Sequence, residues 1–314
     1  MRVRRICALL ASSALVAIGL AAPVSASPSA ELAPGAHPAA SSQASDRVVY
    51  HYDRSESAAH VGAARPGSSP NMIYHGGPVL SGATATEAIF WGTSWGADAT
   101  DKIAGMDSWY QGFGGSNYAK TTIEYSDSTG QHVSSATNYN GHAIDTSAAS
   151  GGGSTSAILN EVAKLFPNPT PNGYYAVYTD LPRGHAKYCA WHSAGTVGVN
   201  AVPVEFAFFW KLDGDPGCDP QDTTTSHSPG LAAIANVSGH ELAEAMTDPA
   251  TPGAWYDAQG SENGDKCAWT FNTTTVHFQN GTDWRIQGEW SNAAYTGGTG
   301  YANSSGQKGC IPGA

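Results

Sequence analysis

The sequence predicts an α+β (or α/β) fold: one domain with a mixed β-sheet, several helices and one long helix that carries the candidate chemistry. Three observations lead there. Short runs rich in β-branched and aromatic residues alternate with segments of helical periodicity from residue 84 onward. One segment, Pro229–Met246, is a long and largely apolar helix. The turn after the first strand, Gly92-Thr93-Ser94-Trp95-Gly96, lacks G-x-G-x-x-G spacing, which argues against a dinucleotide fold.

Each element has its own signal. Thr84–Trp91 (TATEAIFW), Tyr174–Thr179 (YYAVYT) and Val204–Trp210 (VEFAFFW) read as strands, and Thr121–Tyr125 as a short one. Thr100–Phe113 has near-helical apolar spacing. Ser154–Phe166 is an amphipathic helix capped by Ser154 or Thr155 and stopped before Pro167. Pro229–Met246 starts on proline, repeats Leu231, Ile234, Val237, Leu242 and Met246, and stops at Asp248-Pro249. Turns, tryptophans, glycines and short strands follow, and no internal repeat is present.

The N-terminal residues speak to compartment. Arg2, Arg4 and Arg5 precede an apolar stretch, Ile6–Ala22, too short for a membrane span, and Val24-Ser25-Ala26 is a small-residue cleavage site. Residues 1–26 therefore read as an export signal, and 27–70, rich in Ala, Ser, Pro and Gly, as a flexible leader or pro-segment. The folded domain is expected over 71–314. Four cysteines remain past the signal, which fits two disulfides in an exported chain. The shortest loops favour Cys189–Cys218 and Cys267–Cys310; no C-x-x-C spacing suggests a zinc site instead. Formal charge is −11, and removing the three signal arginines takes it to −14. Such a balance repels nucleic acid and anionic lipid, so neither is an expected partner. A monomer is expected.

The chemistry concentrates in Ser238-Gly239-His240-Glu241-Leu242-Ala243-Glu244. His240 and Glu244 stand four apart, on one helix face. This is H-E-x-x-E, the zincin H-E-x-x-H with Glu in place of the second His. It predicts a cation on His240 and Glu244 with Glu241 as general base. Zn²⁺ is the expected ion, with Ca²⁺ or Mn²⁺ favoured by the oxygen ligand. Asp248 lies eight helical residues on, roughly 12 Å along the axis, too far to share that ion. Glu262, eighteen residues past Glu244, is the expected third ligand and Asp265 the fallback. Tyr256 is a candidate oxyanion donor, though beside Trp255 it also reads as packing. His192, next to Cys189, reads as a structural loop histidine more readily than as a ligand or acid/base. Asn236, Asn272, Asn280 and Asn303 each begin a glycosylation sequon.

Tyr74-His75-Gly76-Gly77-Pro78-Val79-Leu80-Ser81-Gly82, followed by a strand and Trp91-Gly92, resembles the opening of the EXORDIUM or phosphate-induced protein family. The resemblance continues through Cys189-Ala190-Trp191-His192-Ser193 and Gly264-Asp265-Lys266-Cys267-Ala268-Trp269, and so spans most of the chain after Asn71. It implies an extracellular protein of the kind tied to growth and cell-wall responses. Together with the helix motif it yields two expectations: a secreted metallopeptidase acting on peptides, or a non-catalytic wall-associated protein whose Trp and Tyr meet glycans.

Overall fold

The computed structural model describes residues 42–60, 69–97, 100–249 and 252–314. The expected export signal lies outside them. Within them are five α-helices and a mixed seven-stranded sheet, an α+β arrangement with the character of a single domain. The sheet strands are β1 (Ser42–Ala44), β2 (Val49–Tyr52), β3 (Thr84–Trp91), β4 (Thr137–Asp145), β5 (Gly173–Pro182), β6 (Tyr188–Val197) and β7 (Val202–Lys211). The helices are α1 (Arg54–His60), α2 (Lys102–Phe113), α3 (Thr155–Leu165), α4 (Pro229–Thr247) and α5 (Asn292–Gly297).

Strand order is β1-β6-β7-β5-β3-β4, with β2 also paired to β6. The four strands β4, β3, β5 and β7 run parallel, and β6, β1 and β2 continue the sheet antiparallel. Parallel strands need both faces covered, and both are. On one side Ile89, Tyr175, Val177, Phe206, Phe208 and Trp191 pack with Ile158, Leu159 and Val162 of α3. On the other, Phe90, Tyr178 and Phe209 pack with Met106 and Trp109 of α2 and with Leu242 and Met246 of α4. Period-two alternation along the strands sorts side chains between these cores.

Helix α4 is buried along all but its first residue. Ser228 caps it, its hydroxyl accepting from the Leu231 amide at 3.1 Å, and Pro229 occupies the first turn. A helix enclosed on every side presents its polar residues to protein, not water, which is why His240, Glu241 and Glu244 need partners. Both disulfides pair as the sequence favours, with Cα–Cα distances of 5.8 Å for Cys189–Cys218 and 5.7 Å for Cys267–Cys310. No helix among the described residues is long and apolar enough to cross a membrane.

Two expectations are corrected. Thr121–Tyr125 is not a strand: Ala119–Thr122 forms a 3₁₀ turn. The Thr121 and Thr122 hydroxyls donate back to Tyr118 O and Ala119 O at 2.7 and 2.9 Å, an alternative to ladder pairing. The second concerns the leader. Of its described residues, 42–60 are ordered into β1, β2 and α1, so the folded unit begins before residue 71. Asp53 caps α1 through the Ser55 and Glu56 amides at 2.9 and 3.1 Å, and Arg183 holds its other oxygen at 2.6 Å. The run Val48-Val49-Tyr50-His51-Tyr52 is β-prone, a local signal that the average over 27–70 hides.

Candidate metal centre

Four elements bring acids and imidazoles together. Helix α4 supplies His240, Glu241 and Glu244. Strand β6 supplies His192, which faces α4 while Trp191 faces α3. The segment after α4 brings Glu262 and, in a 3₁₀ turn, Asp265. Strand β2 adds His51. All are fully buried or nearly so except Asp265, whose side chain keeps 19% of its surface.

His240 Nε2 lies 3.1 Å from Glu244 Oε1 and 3.7 Å from Asp265 Oδ1, yet has no hydrogen-bond partner. Donors around one tetrahedral ion with bonds of about 2.0–2.1 Å sit roughly 3.3 Å apart. Close donors that do not bond one another have the layout of ligands to a common ion. Two further triads of donor atoms converge: His192, Glu241 and Glu244, and His51, His240 and Glu241. These buried His/Glu groups could hold a metal ion.

The sequence-designated residues divide. His240, Glu244 and Asp265 come together, so the fallback ligand joins the group. Glu262 stands to one side: Arg47 takes its Oε1 at 2.6 Å, and its Oε2 is 3.8 Å from His192 Nε2. Asp248 is the α4 C-cap, pairs with Arg47 at 2.6 Å and accepts from the Ala254 amide. The contacts of Tyr256 run through its ring, stacked on His75 at 3.6 Å and carrying the Arg47 guanidinium at 5.3 Å. That placement supports a packing role. Asn236 lies wholly buried in α4 and accepts from the Gln287 amide at 2.8 Å, which removes it as a glycan acceptor.

Three participants were not legible as such. His192 sits on a strand, not a loop, and its Nδ1 is 3.1 Å from Glu241 Oε2. Arg47 closes one side through Glu262 and Asp248. His51 stacks on His240 with centroids 3.8 Å apart, and neither of its ring nitrogens has a partner. The alternating VVYHY run was the signal that could have found His51. Together these residues close the cluster, and the space left beside His192 and Asp248 is about 10 Å³, room for one water at most.

Electrostatics follow from burial. Burial lowers His240 to about 4, against the pull of Asp265. Burial lowers His192 well below the usual range, helped by Arg47. Burial, then the Glu244 charge, pushes Asp265 up to about 7, an effect its solvent edge screens. Burial also raises Glu241, Glu244 and Glu262. Arg47 pairs with Glu262 and Asp248, which leaves Glu241, Glu244 and Asp265 without a paired guanidinium, and a divalent cation would offset the excess.

The shell around His240 is tight. The Gln287 amide nitrogen lies 3.0 Å from His240 Nδ1 and donates to Gly264 O at 2.9 Å. The Gln287 oxygen accepts from the Trp269 amide at 3.1 Å, and a cation on Nε2 would require a proton on Nδ1. Trp269, at φ 57°, is a strained residue whose indole donates to Tyr52 O at 2.9 Å and so seats β2. Cys267–Cys310 anchors the turn bearing Asp265. A Cβ on Gly264 would fall 2.7 Å from His240 Nδ1 and 3.0 Å from Glu244 Oε1. Gly264→Ala is therefore expected to weaken cation binding by at least about 10-fold, read by titration calorimetry. Unchanged affinity would place the ion away from His240.

No family model, curated protein or solved structure matches this chain.

Proposed function

We propose that this chain is a secreted metal-dependent hydrolase acting on peptides, with Zn²⁺ held by His240, Glu244 and Asp265. The observation that carries this reading is His240 Nε2, buried and unpaired between two carboxylates at ligand spacing. The unpaired Glu244 Oε2 beside it extends the donor set. Zn²⁺ there would polarise a substrate carbonyl and acidify water. The rest falls to the chain. Glu241 is the general base: His192 Nδ1–H holds its Oε2, leaving Oε1 to take a proton. Burial, then the Glu244 charge, raises its affinity for a proton. Arg47 and His51 exclude water, so substrate entry requires the β1–β2 edge to move. The two disulfides fit an oxidising compartment, in keeping with the expected export signal.

Metal analysis of the purified chain is the direct test, followed by a peptide and glycan screen with and without chelator. One tightly held ion, lost in His240→Ala, and chelator-sensitive peptide cleavage are expected. Glycan binding indifferent to chelator and to His240→Ala, with no ion bound, would overturn the reading.

A further inference from the structure

Beside the closed cluster lies an open cavity of about 450 Å³. It shares Ser45, Ala194 and Pro249 with the small space that reaches His192, and so adjoins the candidate centre. Its walls are largely apolar, built from Val79, Leu80, Pro203 and Pro249. One carboxylate, Glu205 of β7, lines it.

Glu205 is hard to explain as a structural residue. It is 3% exposed, and its Oε2 has no hydrogen-bond partner. Among the described residues no Lys, Arg or His forms an ion pair with it, and Arg47 pairs with Asp248 and Glu262. A buried carboxylate with no counter-ion costs several kcal/mol. The opposite residue on β6 is Ala194, which lines the same cavity. Burial, then the Asp248 charge, favours its protonated form, and a cation entering through the cavity would supply the counter-charge that the ionised form lacks.

The lining says what that partner is. A metal ion would need further His, Cys or acid donors, and Glu205 is the one such residue among those lining the cavity. An apolar wall ending in a single carboxylate suits an aliphatic stem tipped by a positive charge. We propose that this cavity is a subsite for a cationic side chain on an aliphatic stem, lysine or arginine of a peptide, with Glu205 as its counter-ion. Resting on the hydrolase reading, this places a basic residue next to the bond to be cleaved, and a preference for basic peptides follows. Binding itself does not require the metal.

The test is calorimetric titration of the full chain with the Nα-acetyl amides of lysine, arginine and norleucine, in metal-loaded and chelated protein. Lysine or arginine should bind at least about 10-fold more tightly than norleucine, which has the stem without the charge. Glu205→Gln, isosteric and relieved of a buried charge, should keep the fold by circular dichroism and abolish the preference. Norleucine binding equal to lysine, no binding of any probe, or a preference surviving Glu205→Gln would each overturn the subsite. Cationic selectivity in a protein that holds no metal would leave the subsite standing while the hydrolase reading fell. One bound metal without cationic selectivity would do the reverse.

Discussion

Glu241→Gln is expected to lower peptide hydrolysis by about 10²–10⁴-fold, the usual contribution of a positioned acid or base, with the cation retained. Glutamine keeps the shape of the side chain, and its amide oxygen can still accept from His192 Nδ1–H. What it loses is the ability to take a proton. Because the effect lies in the chemical step, kcat should fall and KM should hold. His240→Ala should differ: it removes the central donor, so the ion itself is lost, while the two disulfides and the two sheet-flanking cores hold the fold. Steady-state kinetics beside metal analysis separate the two variants. Unchanged turnover in Glu241→Gln would remove Glu241 as the base.

Chelation should make stability fall steeply with pH. Asp265 titrates at about 7 in the fold against an ordinary carboxylate value of 3.8, and Glu244 moves in the same direction. An acid raised on folding binds more protons in the native state than in the unfolded one between those two values. Stability is therefore greatest below about pH 4 for this contribution and is lost as pH rises through about 7. A carboxyl whose titration moves by one pH unit on folding changes stability by about 1.4 kcal/mol, so the Tm of chelated protein should drop by roughly 10 °C across the window. Restoring the cation should erase most of the drop, since a ligand at 1,000 times its Kd stabilises by about 4 kcal/mol. Thermal scans from pH 4 to 8, with and without chelator, check this. Identical profiles would mean that no cation offsets these acids.

What could be read from the sequence was local and periodic. The strand at Thr84–Trp91 and the helices α3 and α4 announce themselves through alternation, capping and Pro stops, and they form nearly where expected. The His240–Glu244 pair needs only the helical repeat. The rest depends on pairing between distant segments. β6 (YCAWHSAGTV) carries the small residues Ala190, Ser193, Ala194 and Gly195 among polar ones, so its burial shows only once β7 and β2 lie beside it. His192, His51 and Arg47 reach the cluster through that pairing. The choice between Glu262 and Asp265 turned on the bend after Asn263, and Arg47, which captures Glu262, gives no sign of it in the sequence.

The strand that shuts the candidate centre is also one with a long wait. Val49 pairs with His192, roughly 140 residues later, so β2 is made early and cannot dock until β6 and β7 exist. It closes one of the two longest loops in the sheet, the other being that of β1, and gains ladder bonds along one edge only. An edge strand that docks late and pairs along one side is of the kind that opens at low free energy. Access to His240 is then expected through partial unfolding, with β1 and β2 coming away while the parallel core stays intact; hydrogen exchange faster at 42–52 than in the parallel strands would be its sign.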